Sequence, residues 1–158
     1  MFTGIIQNLG HVISYANGEL EIATSLDLSD CKIGSSICCN GVCLTATEIN
    51  SEDDEYTFKV NVGEETQDRT NFSNQEFNIL AKINIEKSLK IGDEISGHFV
   101  YGHVDTTAKV INIEKIDGSH KVTFLIKNEF IKYIASKGSI CIDGVSLTVN
   151  DVEIQNFS

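Results

Sequence analysis

An internal repeat is the feature that most limits how this chain can fold. The segment GSSICCNGVCLT at residues 34–45 returns as KGSICIDGVSLT at residues 137–148. Upstream, FTGIIQNLGHV at 2–12 is similar to VYGHVDTTAKV at 100–110. The two offsets differ so little that one loop insertion accounts for the difference. The chain of 158 residues is therefore predicted to hold two copies of one small module.

The repeat also predicts the limits of the two modules. The first copy is expected over residues 1–86 and the second over 97–158, with a polar connector at 87–96 that has no helical face. Phe157 aligns with Phe58, so the second copy has no counterpart of the last part of the first. We therefore expect an incomplete second barrel and a sequence that is a piece of a longer protein.

Each copy consists mainly of short segments rich in β-branched and aromatic residues, separated by turn signals such as Asn-Gly. In the first copy we predict strands over 12–15, 20–23, 36–39, 43–49, 56–62 and 79–85. A weak helix is expected over 25–34. Six strands with a helix before the third predict an all-β chain of two tandem six-stranded Greek-key barrels.

The second copy contains a clearer helix signal at 128–138. Phe130, Ile131 and Ile134 recur at helical spacing. Asn128 is the predicted N-cap, and Gly138 is the predicted residue just beyond the C-terminal end. This segment precedes the second copy's repeat of the third strand.

Composition excludes several classes of protein. The net charge of −11 and the pI of about 4.6 disfavour nucleic-acid binding, because an acidic surface repels phosphate backbones. No apolar run is long enough to cross a membrane, and we find no signal peptide, so a cytoplasmic location is expected. Five cysteines without zinc spacing predict reduced thiols and no metal site. These cysteines are Cys31, Cys38, Cys39, Cys43 and Cys141.

Four motifs together resemble the riboflavin synthase family: MFTGII at 1–6, NGVCLT at 40–45, GHFVYGHVD at 97–105 and DGVSLTVN at 143–150. The resemblance implies that two molecules of 6,7-dimethyl-8-ribityllumazine exchange a four-carbon unit. The products are riboflavin and 5-amino-6-ribitylaminouracil. It also implies no metal and no organic cofactor, a homotrimer for the full-length form, and active sites between the first barrel of one subunit and the second of its neighbour.

A reaction that consumes two identical substrates gives a reason for the duplication. Two homologous pockets can bind the same heterocycle, one as donor and one as acceptor of the four-carbon unit. The repeats differ at Cys43 and Ser146, and a thiol and a hydroxyl differ in acidity and donor strength. This position is therefore where the duplicated sites are expected to diverge in role.

Candidate catalytic residues are Cys43, His98, His103, Ser146 and Thr148. The histidines suit proton transfer to and from a weakly acidic methyl group of the lumazine, because imidazole titrates near neutral pH. Each has a structural alternative. The thiol serves equally as a small buried apolar group, the histidines as groups satisfied within the fold, and the threonine as a strand residue.

The predicted substrate-binding residues are Phe2, Gly4, Ile5, Ile6, Cys43, Leu44, Thr45, Asn61, Val62, Gly63, Glu64, Glu65, Thr66, Gly102, His103, Val104, Lys137, Ser146, Leu147 and Thr148. Alternatives stay open here too. Phe2 stacks on a flat ring or packs the N-terminus, and Gly4 and Gly102 admit a ring or form turns. Residues 61–66 bind substrate or form a solvated acidic loop, and Lys137 reaches the ligand or lies on the surface.

The segments 2–6, 43–45 and 61–66 are expected to form the first pocket, with Ser146 and Thr148 in the second. The competing function is a non-catalytic antenna protein of the same fold that holds lumazine or flavin without turnover. Retention of the polar candidate residues favours the enzyme.

Overall fold

A computed structural model describes residues 1–73 and 79–158 of the chain. The chain divides into two compact units. The first comprises residues 1–104 together with 141–146, and the second comprises 105–140 together with 147–158. Each unit is a folded body with its own strands, and no helix in the described ranges is long and apolar enough to cross a membrane.

Six antiparallel strands close into a barrel in the first unit, in the order β1-β2-β5-β4-β3-β6. The strands are β1 Asn8–Ala16, β2 Glu19–Thr24, β3 Ser36–Cys39, β4 Val42–Glu52, β5 Glu55–Asn61 and β6 Lys82–Lys87. All six predicted strands are therefore present. The last one begins later than the predicted residue 79, and residues 74–78 lie outside the described part of the chain.

The barrel closes because alternate residues of every strand point to one shared apolar core. Val12, Leu20, Ile22, Phe58 and Ile83 are all buried in this core. Burial of each such side chain contributes roughly 1.5–3 kcal/mol relative to exposure. The alternation that predicted the strands thus also assigned the core-facing residues.

The predicted helix at 25–34 is wrong. The segment forms a series of turns, in which Asp27 Oδ1 accepts the Ser29 N–H and Leu28 O accepts the Cys31 N–H. Short polar side chains that bind nearby backbone groups stabilise turns at the expense of helix. Leu28 anchors these turns to the barrel core, where it is 1% exposed.

Two short helices between β5 and β6 were not predicted. They are α1, Glu64–Arg69, and a 3₁₀ helix at Asn71–Ser73. No residue of α1 is buried, so the apolar periodicity that marks most helices is missing from its sequence.

The second unit contains an antiparallel three-stranded sheet of β7 Lys109–Ile116, β8 Ser119–Leu125 and β11 Asn156–Phe157, in the order β11-β8-β7. The strands β9, Ser139–Ile142, and β10, Val145–Thr148, pair as a hairpin, whose turn belongs to the first compact unit. The Phe124 and Phe157 rings stack 5.2 Å apart between β8 and β11. The mostly β architecture, with a closed barrel and a second partial sheet, confirms the predicted fold class.

The helix predicted at 128–138 is much shorter than expected. The helix α2 spans Asn128–Ile131, and its N-cap is Lys127, without a side-chain capping hydrogen bond. Asn128 is therefore not the cap. Turns continue the chain to Gly138, whose N–H donates to Ala135 O, and no residue of α2 is buried. Without a buried face, the apolar spacing does not extend the helix.

Candidate functional site

The Cys43 motif lies on the hairpin formed by β3 and β4. Asn40 and Gly41 have φ angles of 47° and 84°, as a tight two-residue hairpin turn requires. This turn places Cys43 directly opposite Cys38. Leu44 then points into the barrel core, and Cys43 lies on the opposite face. There it is half-buried and packs against an apolar cluster.

That apolar cluster consists of Phe2, Cys38 and Val100, with Cys43 and Cys141 packed against it. The Phe2 ring is fully buried. Its N–H donates to Val100 O at 2.7 Å, and the Val100 N–H donates back to Phe2 O at 2.9 Å. The Phe2 ring is therefore packed within this cluster.

Segments of the two sequence copies cross over within the first unit. The Cys43 N–H donates to Gly102 O at 2.8 Å, and the Ser146 N–H donates to Gly4 O at 2.7 Å. Each glycine thus lies against the repeat motif of the other copy. The segment 2–6 therefore lies against both motifs, with Phe2 in the cluster beside Cys43 and Gly4 against Ser146.

Both crossing contacts need glycine. Gly4 and Gly102 have a φ of 77°, where residues with a side chain are strained. A Cβ on Gly4 would lie 2.7 Å from Ser146 Cβ, and one on Gly102 would lie 2.6 Å from Cys43 Cβ. Protein therefore fills the space beside each glycine, and we call these two backbone-to-backbone contacts the glycine locks.

The glycine lock between Gly4 and Ser146 brings together two candidate catalytic residues, Ser146 and His98. His98 Nδ1 lies 2.7 Å from Ser146 Oγ, a hydrogen-bond distance, and the imidazole tautomer sets which atom donates. The His98 N–H donates to Thr3 O at 3.0 Å. Both side chains are half-buried, so the pair is fixed and still open to a small molecule. Sequence reasoning named both residues but did not predict that they pair.

His103 follows Gly102 and is exposed. Its ring lies 6.5 Å from the Tyr101 ring, at a tilt of 36°. Val104 packs against the barrel core and fixes the next residue of this segment. The imidazole of His103 is thus held beside the lock that contains Cys43. Of the other predicted contacts in the first unit, Ile5 and Thr45 are exposed and Ile6 is half-buried.

The segment 61–66 begins at the end of β5 and enters α1. Val62 is buried, and its N–H donates to Gly18 O at 2.7 Å. Gly63 is the N-cap of α1, Glu64 and Glu65 are exposed, and Thr66 is half-buried. The predicted loop is therefore a short helical turn. An open cavity of about 570 Å³ adjoins it.

Some of the residues that line this cavity were predicted to bind substrate, and others were not. Val62, Gly63 and Glu64 are on its wall, as are Tyr15–Gly18 and Gln67, which sequence reasoning did not select. Gln67 Nε2 donates to Val62 O at 2.9 Å and holds the wall in place. Gln67 lies in the helix α1, which was not predicted, so no sequence pattern marked it as a lining residue.

The remaining candidates belong to the second unit. Lys137 and Thr148 are exposed, as is Leu147. Lys137 has a φ of 65°, and its N–H donates to Val149 O at 2.8 Å. These contacts fix the backbone of the hairpin and leave the Lys137 ammonium group in solvent.

The other cysteines suit structural roles. Burial raises the pKa of Cys38 to about 12 and raises the pKa of Cys39 and Cys141 as well. Thiols with raised pKa values stay protonated at neutral pH and are poor nucleophiles. Within residues 1–73 and 79–158, no group of three His, Cys, Asp or Glu side chains could hold a metal ion.

Sequence reasoning also missed two residues next to the His98 and Ser146 pair. Glu86 is a buried carboxylate that accepts hydrogen bonds from the N-terminal segment. Gly97 lies so close to the Thr3 carbonyl that a Cβ would come within 2.0 Å of its oxygen. The two residues flank the predicted connector at 87–96, and nothing in the local pattern indicated that Glu86 is buried.

Comparison with known proteins identifies the class first. The lumazine binding domain family matches residues 3–88 and again 101–158. The crystal structure of LumP complexed with riboflavin has a TM-score of 0.79 at 23% sequence identity, and the match covers 99% of this chain and 84% of that chain. At this identity the likeness establishes the fold.

Full-length relatives define the family more narrowly. Riboflavin synthase of Brucella abortus (strain 2308) is 40% identical over an alignment of 164 positions that covers 99% of this chain and 79% of the relative. Riboflavin synthase of Photobacterium phosphoreum is 35% identical, with 99% and 72% covered. That of Saccharomyces cerevisiae is 37% identical, with 97% and 67% covered. The chain belongs to the riboflavin synthase family.

Proposed function

We propose that the protein converts two molecules of 6,7-dimethyl-8-ribityllumazine into riboflavin and 5-amino-6-ribitylaminouracil. One substrate gives up a four-carbon unit and the other receives it. The two products together contain all the atoms of the two substrates, so the balance needs no oxidant or reductant. Membership of the riboflavin synthase family supports this reaction.

The contact between His98 and Ser146 is the observation that carries the chemical part of the proposal. The reaction requires removal of a proton from a lumazine methyl group to give a carbanion-like nucleophile. An imidazole at 2.7 Å from a hydroxyl can pass a proton to and from it. We assign this proton transfer to His98 and Ser146, and we keep Thr148 of β10 as a further candidate catalytic residue.

We propose that the glycine lock between Gly102 and Cys43 serves the acceptor substrate. Cys43 and His103 flank Gly102, and we assign them to the acceptor substrate, where a group must add to the ring. The distinct surroundings of the two locks support distinct roles for the two substrates. The segment 61–66 remains our candidate for contact with the pyrimidine edge or the ribityl chain.

The assembly is part of the same proposal. We propose a homotrimer in which sites form between the first barrel of one subunit and the second barrel of its neighbour, in the cytoplasm. We keep 1–86, 87–96 and 97–158 as the first module, connector and second module of the duplicated sequence. The two separate matches to the lumazine binding domain family, at residues 3–88 and 101–158, support the two modules.

The test is turnover of the purified protein with 6,7-dimethyl-8-ribityllumazine as the only substrate. We expect riboflavin and the pyrimidinedione in equal amounts, with the rate unchanged by EDTA. Ligand bound in stoichiometric amount without product would favour the antenna-type alternative. A strict requirement for a metal ion would contradict the proposed reaction.

A further inference from the structure

Glu86 has surroundings that its strand position does not predict. It is the next-to-last residue of β6, a strand whose Ile83 and Ile85 point into the core. Alternation therefore puts Glu86 on the outer face of the barrel. Nevertheless it is only 3% exposed. The N-terminal segment covers it.

Within the described part of the chain, the hydrogen bonds to the Glu86 carboxylate come from two consecutive residues. Oε1 accepts the Thr3 N–H at 2.6 Å and the Thr3 hydroxyl at 2.8 Å, and Oε2 accepts the Gly4 N–H at 3.0 Å. Hydrogen bonds to a carboxylate are shorter and stronger than those between neutral groups. Both oxygens of the side chain thus hold one short piece of backbone.

The carbonyl groups of the same two residues point to the candidate catalytic pair. Thr3 O accepts the His98 N–H at 3.0 Å, and Gly4 O accepts the Ser146 N–H at 2.7 Å. Thr3 and Gly4 therefore connect Glu86 to the backbone of both His98 and Ser146. The two side chains of that pair then lie 2.7 Å apart.

We propose that Glu86 is a positioning residue for the His98 and Ser146 pair. Its carboxylate fixes Thr3 and Gly4, and these fix the distance between the imidazole and the hydroxyl. The Gly4 N–H and the Thr3 carbonyl belong to one peptide group, so the carboxylate also makes Thr3 O a better acceptor for the His98 N–H. The catalytic consequence rests on the proposed function, whereas the geometric consequence does not.

A second anchor competes with this explanation. The paired hydrogen bonds between Phe2 and Val100 also hold the N-terminal segment. If they suffice, loss of the Glu86 charge will lower stability without changing the catalytic pair. Gly97 approaches the Thr3 carbonyl so closely that a displaced N-terminal segment would have no room. We therefore expect the His98 and Ser146 pair to respond to the loss of the Glu86 charge.

Glu86→Gln tests the proposal, because it keeps the size of the side chain, removes the charge and presents an NH₂ group to a donor. Glu48→Gln is the matched control, since Glu48 pairs with Lys59 on the exposed surface of the same barrel. We expect kcat to fall about 10- to 100-fold in Glu86→Gln, as a misplaced catalytic group does, with little change in KM. The control should keep wild-type kcat.

A double-mutant cycle separates positioning from general destabilisation. In a Ser146→Ala background, Glu86→Gln should lower kcat less than about twofold further, because groups that act as one unit are not additive. A loss of kcat in that background as large as in the wild-type background would overturn the proposal.

Nuclear magnetic resonance of the imidazole nitrogens tests the geometry without any turnover. With four histidines in the chain, nitrogen-15 labelling of histidine gives few signals. We expect the His98 signals to move in Glu86→Gln and those of His120, on β8, to stay. Unmoved His98 signals in a folded Glu86→Gln protein would refute the proposal even if the wild type proved inactive with lumazine.

Thr3→Val decides the matter if Glu86→Gln does not fold. It removes only the hydroxyl donor and keeps both N–H donors to Glu86. A smaller movement of the His98 signals in the same direction supports the proposal. Unchanged His98 signals in Thr3→Val would overturn it.

Discussion

The two copies of the repeat motif, residues 40–45 and 143–148, have the same backbone contact and different side-chain surroundings. In each, the residue after the Gly-Val pair donates its N–H to a glycine of the other copy, at 2.8 Å for Cys43 and 2.7 Å for Ser146. Cys43 packs against an apolar cluster, whereas Ser146 meets the imidazole of His98. The two copies thus share the backbone contact to a glycine and differ in the side chains around it.

This contrast explains how one fold can hold two identical substrates in different roles. The geometry that positions the backbone is shared, so both sites can present the same heterocycle. Of the two motif side chains, Ser146 lies at hydrogen-bond distance from an imidazole, whereas Cys43 packs against apolar side chains. The predictions below test first the shared lock and then the difference between the copies.

The largest effect is expected from Gly4→Ala and Gly102→Ala. Each introduces a Cβ at a φ of 77° and within 3 Å of the facing backbone. Left-handed strain costs about 1–2 kcal/mol and overpacking about 1–3 kcal/mol, so we expect a loss of about 2–5 kcal/mol in the free energy of unfolding. Denaturant titration measures this loss.

Gly34→Ala is the control for the lock, because Gly34 has a φ of 92° and open space around it. It should cost only the strain, about 1–2 kcal/mol. Equal losses in Gly34→Ala and Gly102→Ala would show that the close contact contributes nothing. A large loss of unfolding free energy in only one of Gly4→Ala and Gly102→Ala would show that the two glycine contacts are not equivalent.

Removal of the Ser146 hydroxyl, in the glycine lock with Gly4, should strongly reduce turnover. We expect Ser146→Ala to lower kcat about 100-fold, the lower end of what a positioned proton-transfer group contributes. His98→Ala should give a similar loss, and the double variant little more. Steady-state kinetics beside a thermal melt distinguishes loss of catalysis from loss of folding, and wild-type kcat in both variants would remove these residues from the mechanism.

Exchange of the two side chains should sharpen the contrast between the copies. Cys43→Ser places a hydroxyl against the apolar cluster, and we expect it to lower the free energy of unfolding by about 1–3 kcal/mol. Ser146→Cys should keep stability within about 1 kcal/mol while lowering kcat, because a thiol is a weak hydrogen-bond partner for His98. Chemical denaturation and kcat measured on both variants give four numbers to compare. Equal stability losses would mean that the two surroundings are equivalent.

The smallest effect concerns the turn residue that precedes the glycine in each copy, Asn40 in the first and Asp143 in the second. Burial raises the pKa of the Asp143 carboxyl above its usual value of 3.8. The charged form therefore destabilises the fold above the raised pKa, and this cost disappears as the pH falls toward 3.8. We expect Asp143→Asn to raise the free energy of unfolding by less than about 1 kcal/mol at pH 7, since the residue keeps contact with solvent.

The gain from Asp143→Asn should shrink as the pH is lowered to 4. Asp53→Asn is the control, because Asp53 is an exposed turn residue with a similar φ of 46°. It reports the conformational preference of Asn alone, without burial. A gain for Asp143→Asn that does not depend on pH would show that the buried charge has no role.

Much of the fold followed from local pattern. Alternation predicted all six strands of the first barrel, and the repeat predicted that Cys43 and Ser146 occupy equivalent places. The helices were predicted poorly. Apolar spacing misled at 128–138, where Asn128–Ile131 lacks a buried face. The repeat carried the same expectation to 25–34, where side chains that bind nearby backbone stabilise turns.

The sequence by itself determined the duplication, the barrel strands and the residue types beside each motif. Only the tertiary structure decided that Gly4 meets Ser146, that Gly102 meets Cys43 and that Glu86 is buried. The reason is physical. Alternation reports which face of a strand meets its own core, but the cover on the other face comes from segments far along the chain, as Thr3 covers Glu86 across 83 residues.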